Sequence, residues 1–362
     1  MVANTRLVSL DAYRGMTIAA MILVNNPGSW SSVYTPLRHA NWHGATPTDW
    51  IFPFFLFIVG AAIALAIGPR KDEGVGTRPL VLKILRRSLI IFAVGLFLSA
   101  YPHFDMANIR IPGVLQRIAL VYGVAALLFL WLNSRQLFVA GVICLLAYWG
   151  LMTLVPVPGG YAPNLEPATN LGAWVDRSLM AGHLWSQSKT WDPEGLLSTI
   201  PAIATCISGI LTGVWLRTDK NPYEKVAGMM VVGTMLLALG LAWNTVFPIN
   251  KQLWTSSYVL YTSGIAVLLL GVVYWWIEIK GRTWGTRPFI VYGMNALVVF
   301  TLSGLIARTL NVTGVQSWLW RSVFQPGFDS PLNASLAHAI SHVLLLLGIA
   351  WILYARKIFI KV

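Results

Sequence analysis

Residues 46–68 read Thr46-Pro47-Thr48-Asp49-Trp50-Ile51-Phe52-Pro53-Phe54-Phe55-Leu56-Phe57-Ile58-Val59-Gly60-Ala61-Ala62-Ile63-Ala64-Leu65-Ala66-Ile67-Gly68, and no charge follows Asp49 until Arg70. A capping hydroxyl, a first-turn proline and an acid mark a helix start. The apolar run behind them has the roughly 20 residues needed to cross a bilayer. Nine other segments read similarly, so spans are predicted at 7–27, 48–68, 80–100, 113–132, 136–155, 196–216, 225–246, 256–276, 287–308 and 333–354. The first, third and fourth carry charge within them. The predicted fold is an all-α integral membrane protein of about ten transmembrane helices, forming one membrane domain over residues 1–362.

Composition agrees. Charged residues make up 11% of the chain, where a soluble domain carries about 25%. The 17 Trp and 12 Tyr suit a protein with two membrane interfaces. The first apolar run has no small-residue cleavage site after it and is read as a retained helix, not a signal peptide. Cys144 and Cys206 lie inside apolar runs, so they are expected to pack rather than to form a disulfide framework.

The net charge of +13 raises the question of a nucleic-acid partner. That reading needs a basic face on a folded domain, whereas here the basic residues alternate between rich and poor connections. Of the 26 Lys and Arg, one side takes 18: Arg6, Arg14, Arg70, Lys71, Arg78, Lys83, Arg86, Arg87, Arg135, Arg217, Lys220, Lys225, Lys280, Arg282, Arg287, Arg356, Lys357 and Lys361. The other side takes 8: Arg38, Arg110, Arg117, Arg177, Lys189, Lys251, Arg308 and Arg321. The rich side is cytoplasmic by the positive-inside rule, which puts both termini in the cytoplasm. The long outer connections 28–47, 156–195 and 309–332 are rich in Trp, Asn, Asp, Gly and Pro, as ordered caps are.

Polar residues near or within the spans are the candidates for chemistry, because they cost free energy unless paired or placed in a cavity. The densest set is Asn25-Asn26, then Arg38-His39-Ala40-Asn41-Trp42-His43-Gly44, then Asp49, at the outer mouth of the first two helices. From the residues alone, His39 and His43 fit loop packing as well as function. Asp11 and Arg14 can pair at (i, i+3), either as a functional pair or as an interfacial one. Arg14 and Asn25 are about 16 Å apart along one helix, a distance that an extended cofactor arm can bridge. Arg117 points into the fourth span and needs a partner or an anion. Asp192 and Glu194 precede the sixth span, where Asp192 also fits a plain helix cap. Asn295 fits an interhelical hydrogen bond. His338 and His342 can share a face, but with no third ligand nearby no metal is expected. Composition and spacing leave a membrane enzyme and a transporter both open.

The stretches Leu10-Asp11-Ala12-Tyr13-Arg14-Gly15, Val24-Asn25, His39-Ala40-Asn41-Trp42-His43-Gly44, Asp49 with Phe52-Pro53, Ile111-Pro112-Gly113-Val114-Leu115-Gln116-Arg117, Asp192-Pro193-Glu194-Gly195, Asn250-Lys251-Gln252-Leu253-Trp254 and Gly293-Met294-Asn295 together resemble the heparan-α-glucosaminide N-acetyltransferase family, including its shorter bacterial members. They occur in family order along nearly the whole chain. The resemblance implies transfer of acetyl from cytoplasmic acetyl-CoA to the amine of a glucosamine-type sugar on the far side of a bacterial inner membrane. A homodimer is the assembly it leaves open. The N-terminal luminal domain of the lysosomal enzyme has no counterpart in this sequence, so heparan recognition is not expected to carry across.

By the same resemblance His39 is the catalytic residue and Asn25 lies beside it. An amine attacks a thioester only as the free base, so a neutral imidazole must take its proton. The Asn25 amide suits the tetrahedral oxyanion, and Asp49 suits orienting the imidazole or holding the incoming ammonium. Arg14, Arg86, Arg87 and Arg282 are the expected holders of the CoA phosphates at the cytoplasmic mouth. Trp42, His43, Arg117, Asp192, Glu194 and Asn295 are expected to meet the acceptor. The direct ternary mechanism and an acetyl-histidine route both fit. Two rivals are an O-acyltransferase of the other ten-helix family, whose first helix also carries Asp-x-x-Arg-Gly, and a sugar or peptide permease lined by Arg117 and Asn295.

Overall fold

The computed structural model describes residues 7–360. Arg6 and Lys361, counted above among the basic residues, lie outside them. Thirteen α-helices are seen among the described residues: α1 Val8–Asn25, α2 Pro47–Asp72, α3 Thr77–Ala100, α4 Val114–Trp131, α5 Ser134–Leu154, α6 Leu171–Met180, α7 Thr199–Leu216, α8 Pro222–Trp243, α9 Ser256–Tyr274, α10 Arg287–Met294, α11 Ala296–Val312, α12 Val315–Leu319 and α13 Pro331–Ala355. Single π-helical turns extend α9 through Ile279 and follow α12 over Trp320–Phe324. No strand forms among the described residues. The protein is an all-α membrane protein.

By length and composition, α2, α4, α5, α7, α8, α9 with its π turn, and α13 can each cross a bilayer. The segment 287–308, expected as one continuous span, is instead two helices bent by 85° at Asn295. The cause is local. The Asn295 amide donates to Ile358 O (3.0 Å) and accepts from Ile360 N–H (2.9 Å), so it ties down the C-terminal segment at the break. Counted as one, this pair brings the apolar crossings to eight. The other two expected spans, α1 and α3, are helices of 18 and 24 residues that carry Asp11 and Arg14, and Arg78, Lys83, Arg86 and Arg87.

In lipid, helices associate by close packing of small residues more than by apolar burial, and α2 and α7 show this at the centre of the molecule. A Cβ on Gly60 would sit 2.0 Å from Cys206 O, and one on Gly209 would sit 1.9 Å from Phe57 O. Backbone thus meets backbone at two points one turn of each helix apart. The same device joins α1 to α10, where Gly15 lies against Phe289 O and Gly293 against Asp11 O. Most of α2 is buried, whereas α8 presents Val231, Met235, Leu239 and Leu241 outward as a lipid-facing helix would.

Both described ends gather at one end of the bundle. Ser9 N–H donates to Glu278, Arg14 reaches Gly293 O, and Asn295 holds residues 358 and 360. The 25 residues of α13, about 37 Å of helix, lead from there to the opposite end, where Asn333 bonds the Tyr34 hydroxyl. The outer connections are ordered. Residues 156–198 contain α6, capped by Asn170 Oδ1 accepting from Ala173 N–H (2.9 Å).

Candidate active site

The site starts from the first turn of α2. Thr46 N–H donates to Asp49 Oδ2 at 2.9 Å, returning the Asp49 carboxylate over the helix start. Ala40 N–H donates to the same oxygen at 3.0 Å, and the Thr46 hydroxyl donates to Arg38 O at 2.6 Å. These bonds fold the chain before α2 back onto its own helix. They leave Asp49 Oδ1 for His39, whose Nδ1 lies 2.6 Å away. The Asp49 side chain is 1% exposed and that of His39 is 39% exposed. A buried carboxylate fixing one ring nitrogen directs the other, Nε2, outward as an acceptor.

A second segment lies against this loop. Gly44, at φ +100°, gives its N–H to Ile249 O at 2.7 Å, and Asn250 Nδ2 lies 3.4 Å from His43 Nδ1. Asn250 Oδ1 accepts from Leu253 N–H (2.9 Å), and its own N–H donates to Thr255 Oγ1 (3.0 Å). The buried Trp254 donates to Thr205 Oγ1 at 3.1 Å. The turn so fixed carries Lys251, with Nζ 3.3 Å from both His39 nitrogens. Burial pulls the Lys251 pKa below the ordinary lysine range, while the charges of Glu194 and Asp49 act to raise it.

Beside this lies a group of charges. Arg110 donates to Asp192 through Nε (2.9 Å) and Nη2 (2.6 Å), and to Glu194 through Nη2 (2.5 Å). Burial disfavours its charge, but the two carboxylates outweigh that and raise its pKa above the ordinary arginine value. Asp192 is therefore no helix cap: that position before α7 belongs to Ser198. Asp176 on α6 accepts from Leu196 N–H (3.0 Å) and Asp192 N–H (3.4 Å), yet burial pushes its pKa up to about 6. Arg117, near the start of α4, is 1% exposed. One of its nitrogens donates to Gly195 O (2.8 Å) and Ser198, its guanidinium stands over the Trp254 ring at 5.2 Å, and its Nε and Nη1 have no hydrogen-bond partner. Trp42 is edge-on to Trp191 at 5.2 Å, and Trp191 to Trp185 at 5.5 Å, giving an aromatic wall next to His43 and Asp192.

The sequence-predicted residues thus fall into three groups. His39, Asp49, Trp42, His43, Arg117, Asp192 and Glu194 assemble at one end. Arg14, Arg282 and Asn295 lie at the other, with Arg14 3.2 Å from Asp11 and Arg282 over Trp276 at 4.9 Å. Asn295 is a full helix length from the His39 end and is occupied with the C-terminal segment. Arg86 and Arg87 do not sit at the end where Arg14 and Arg282 lie. Arg87 stands over Tyr122 at 5.0 Å, about 13 Å along α4 from its last residue. The reason is that α3 starts at Thr77, which carries these cations more than two turns inward. Asn25 ends α1 as an exposed residue without a hydrogen bond to His39. Its neighbour Asn26 is the anchored one, donating to Ile22 O (2.7 Å).

Sequence reasoning gave no site role to Arg110, Asp176 or Lys251. Arg110 directly precedes the Ile111–Arg117 motif, Lys251 stands inside Asn250–Trp254, and Lys251 is the sole charge between Lys225 and Glu278, a signal that was readable. The His338 and His342 rings lie 6.1 Å apart, and no three metal-ligating side chains converge among the described residues.

A family model described as heparan-alpha-glucosaminide N-acetyltransferase, catalytic, matches residues 6–221. The chain is similar to the heparan-alpha-glucosaminide N-acetyltransferase of Homo sapiens, 29% identical with 99% of this chain covered, and to that of Mus musculus, 27% identical with the same coverage. It spans about 60% of the length of either relative. Both the His39–Asp49 pair and the Arg110 cluster fall within the matched region, and on that match the chain belongs to the heparan-α-glucosaminide N-acetyltransferase family.

Proposed function

We propose that the protein is a transmembrane N-acetyltransferase which moves acetyl from cytoplasmic acetyl-CoA to the amine of a glucosamine-type sugar outside. The observation that carries this reading is the His39–Asp49 pair, exposed on one side and buried on the other, at the end of the bundle opposite Arg14 and Arg282. The name of both relatives specifies acetyl transfer to a glucosaminide nitrogen. Ten spans, cytoplasmic termini and placement in a bacterial inner membrane, as one domain with a homodimer as its assembly, belong to the same proposal.

Four features support the donor path. Arg282 is exposed at the basic end, Arg14 is half-buried beside the α10–α11 break, and Arg86 and Arg87 carry positive charge toward mid-depth. Cations at such depth are costly unless a cavity or an anion meets them. Pyrophosphate fits these arginines. No metal is required by the chemistry.

In the reaction, Asp49 holds the Nδ1–H tautomer, so Nε2 of His39 is free to take a proton from the attacking amine. The Asn25 amide, one residue from the anchored Asn26, is the proposed donor to the oxyanion. The aromatic wall of Trp42 and Trp191 suits a sugar face, and His43 its hydroxyls. Arg110 ion-pairs with both Asp192 and Glu194, so their part is to shape the mouth as an ion-paired rim and not as free carboxylates for an ammonium. Arg117 has two unsatisfied buried donors for an acceptor oxygen.

The test is purified protein in lipid with labelled acetyl-CoA and glucosamine, wild type against His39→Ala. Acetylated glucosamine from wild type and none from the variant is expected. Equal rates would overturn the assignment of His39. Acetylation of sugar hydroxyls alone would favour an O-acyltransferase, and sugar uptake without acetyl-CoA consumption would favour a permease.

A further inference from the structure

Lys251 is held against His39 by more structure than a surface lysine needs. The Gly44 and Asn250 bonds lock its turn onto the His39 loop, and Trp254 anchors the turn from beneath. Its Nζ is equidistant, at 3.3 Å, from the two ring nitrogens. A point in the ring plane at that distance from both would collide with ring carbon. The ammonium therefore stands over the face of the imidazole, as a cation over an aromatic ring does, and the in-plane lone pair on Nε2 is left unblocked.

We infer that Lys251 is a second catalytic residue of this site, a cation that donates to the oxyanion during acetyl transfer. The inference rests on the acetyltransfer reading above. In that reaction the amine lone pair forms the C–N bond at the thioester carbonyl carbon, and the C=O π pair moves onto oxygen. The nitrogen passes a proton to Nε2. Collapse restores C=O and breaks the C–S bond, whose pair leaves on sulfur, and Nε2 returns the proton to sulfur as a thiol. The reacting carbon thus stays within two bonds of an atom that contacts Nε2. Its oxygen, tetrahedral and out of the ring plane, can turn to the face that Lys251 covers. An attraction to the oxyanion that is absent in the ground state lowers the barrier without tightening binding.

The charged and titratable groups around the lysine are Asp49 from α2, Glu194, Asp192 and Arg110 from the outer connections, Arg117 from α4, and His43 beside the same loop. Of these, Glu194 and Asp49 favour the ammonium, and Arg117 and Arg110 oppose it.

The experiment compares wild type, Lys251→Met, Lys251→Arg and His39→Ala in lipid nanodiscs, measuring kcat and KM for acetyl-CoA across pH, with thermal unfolding as the fold control. For Lys251→Met a fall in kcat of about 100-fold is expected, the size of a lost oxyanion donor, with KM little changed. Lys251→Arg restores at least a tenth of the rate and extends activity at alkaline pH, because arginine stays charged there. If Lys251→Met is folded and keeps the wild-type kcat while His39→Ala is inactive, this inference fails alone. If wild type transfers no acetyl, it falls together with the proposed function. Should Lys251→Met not fold, Lys251→Arg decides: a wild-type alkaline limb in that variant overturns the inference.

Discussion

Oδ1 of Asp49, in an almost wholly buried side chain, lies 2.6 Å from Nδ1 of His39, whose ring is more than a third exposed. Ten residues separate the two in sequence, yet the pairing depends on Thr46 and Ala40, whose N–H groups both occupy the other carboxylate oxygen. That asymmetry sets the outcome of the most conservative substitution.

In Asp49→Asn the amide oxygen must face the Thr46 and Ala40 donors, so its NH2 faces Nδ1 of His39. The imidazole is then forced to carry its proton on Nε2, where it cannot act as a base. A fall in kcat of at least about 100-fold is expected, with acetyl-CoA KM near that of wild type. Steady-state kinetics on the purified variant checks this, and a kcat within threefold of wild type would refute the tautomer argument.

Arg110 holds two carboxylates that would otherwise be buried without an ion-pair partner. Arg110→Met is expected to destabilise the protein by about 3–5 kcal/mol, the cost of breaking a buried ion pair from one side. Adding Asp192→Asn and Glu194→Gln to that variant should recover part of the loss. Thermal unfolding of the four proteins forms the cycle, and strict additivity would show that the charges do not interact.

Asp176 gives a pH dependence whose sign follows from burial. Its pKa is about 6 in the folded protein, above the ordinary aspartate value, because burial disfavours the carboxylate and the nearby Asp192 charge adds to this, while backbone N–H groups and Arg117 act the other way. A raised acid contributes stability that is complete below the unfolded pKa of about 4 and is lost as pH rises through about 6. Wild type should therefore lose stability relative to Asp176→Asn between pH 4 and 7, by an amount on the order of 2–3 kcal/mol. A Tm difference that is flat with pH would contradict this.

Gly60→Leu should abolish accumulation of folded protein, because even its Cβ would sit 2.0 Å from Cys206 O on α7. Gly348→Leu on α13, where a Cβ meets nothing within 4 Å, should be tolerated. Yields of monodisperse protein in detergent distinguish the two.

Asn295→Ala should loosen the C-terminal segment and lower stability by about 1–3 kcal/mol, since it removes a buried donor and acceptor. The acceptor KM should not change, because Asn295 lies at the far end of the bundle. A raised acceptor KM at unchanged Tm would return this residue to substrate binding.

Much of this protein could be read before its structure. Segments such as 50–68 are apolar enough that a helix crossing a membrane is nearly the only way to satisfy their backbone, and each of the ten expected segments coincides with helix. His39, Asp49 and Trp42 were legible because they crowd into one short stretch of chain. Contacts from distant sequence were not. The hydropathy of 287–308 does not announce a bend of 85°, and the groups bonded to Asn295 at the break, Ile358 O and Ile360 N–H, are 63 and 65 positions away. Asp192 looked like a cap until Arg110, 82 residues earlier, was found to hold it. Lys251, 212 residues from His39, acquired its place over the imidazole the same way. Hydropathy and local capping act over a few turns of helix and are written in neighbouring residues, whereas the pairing of buried charges depends on which helix ends the packing of α2, α7 and α9 brings together.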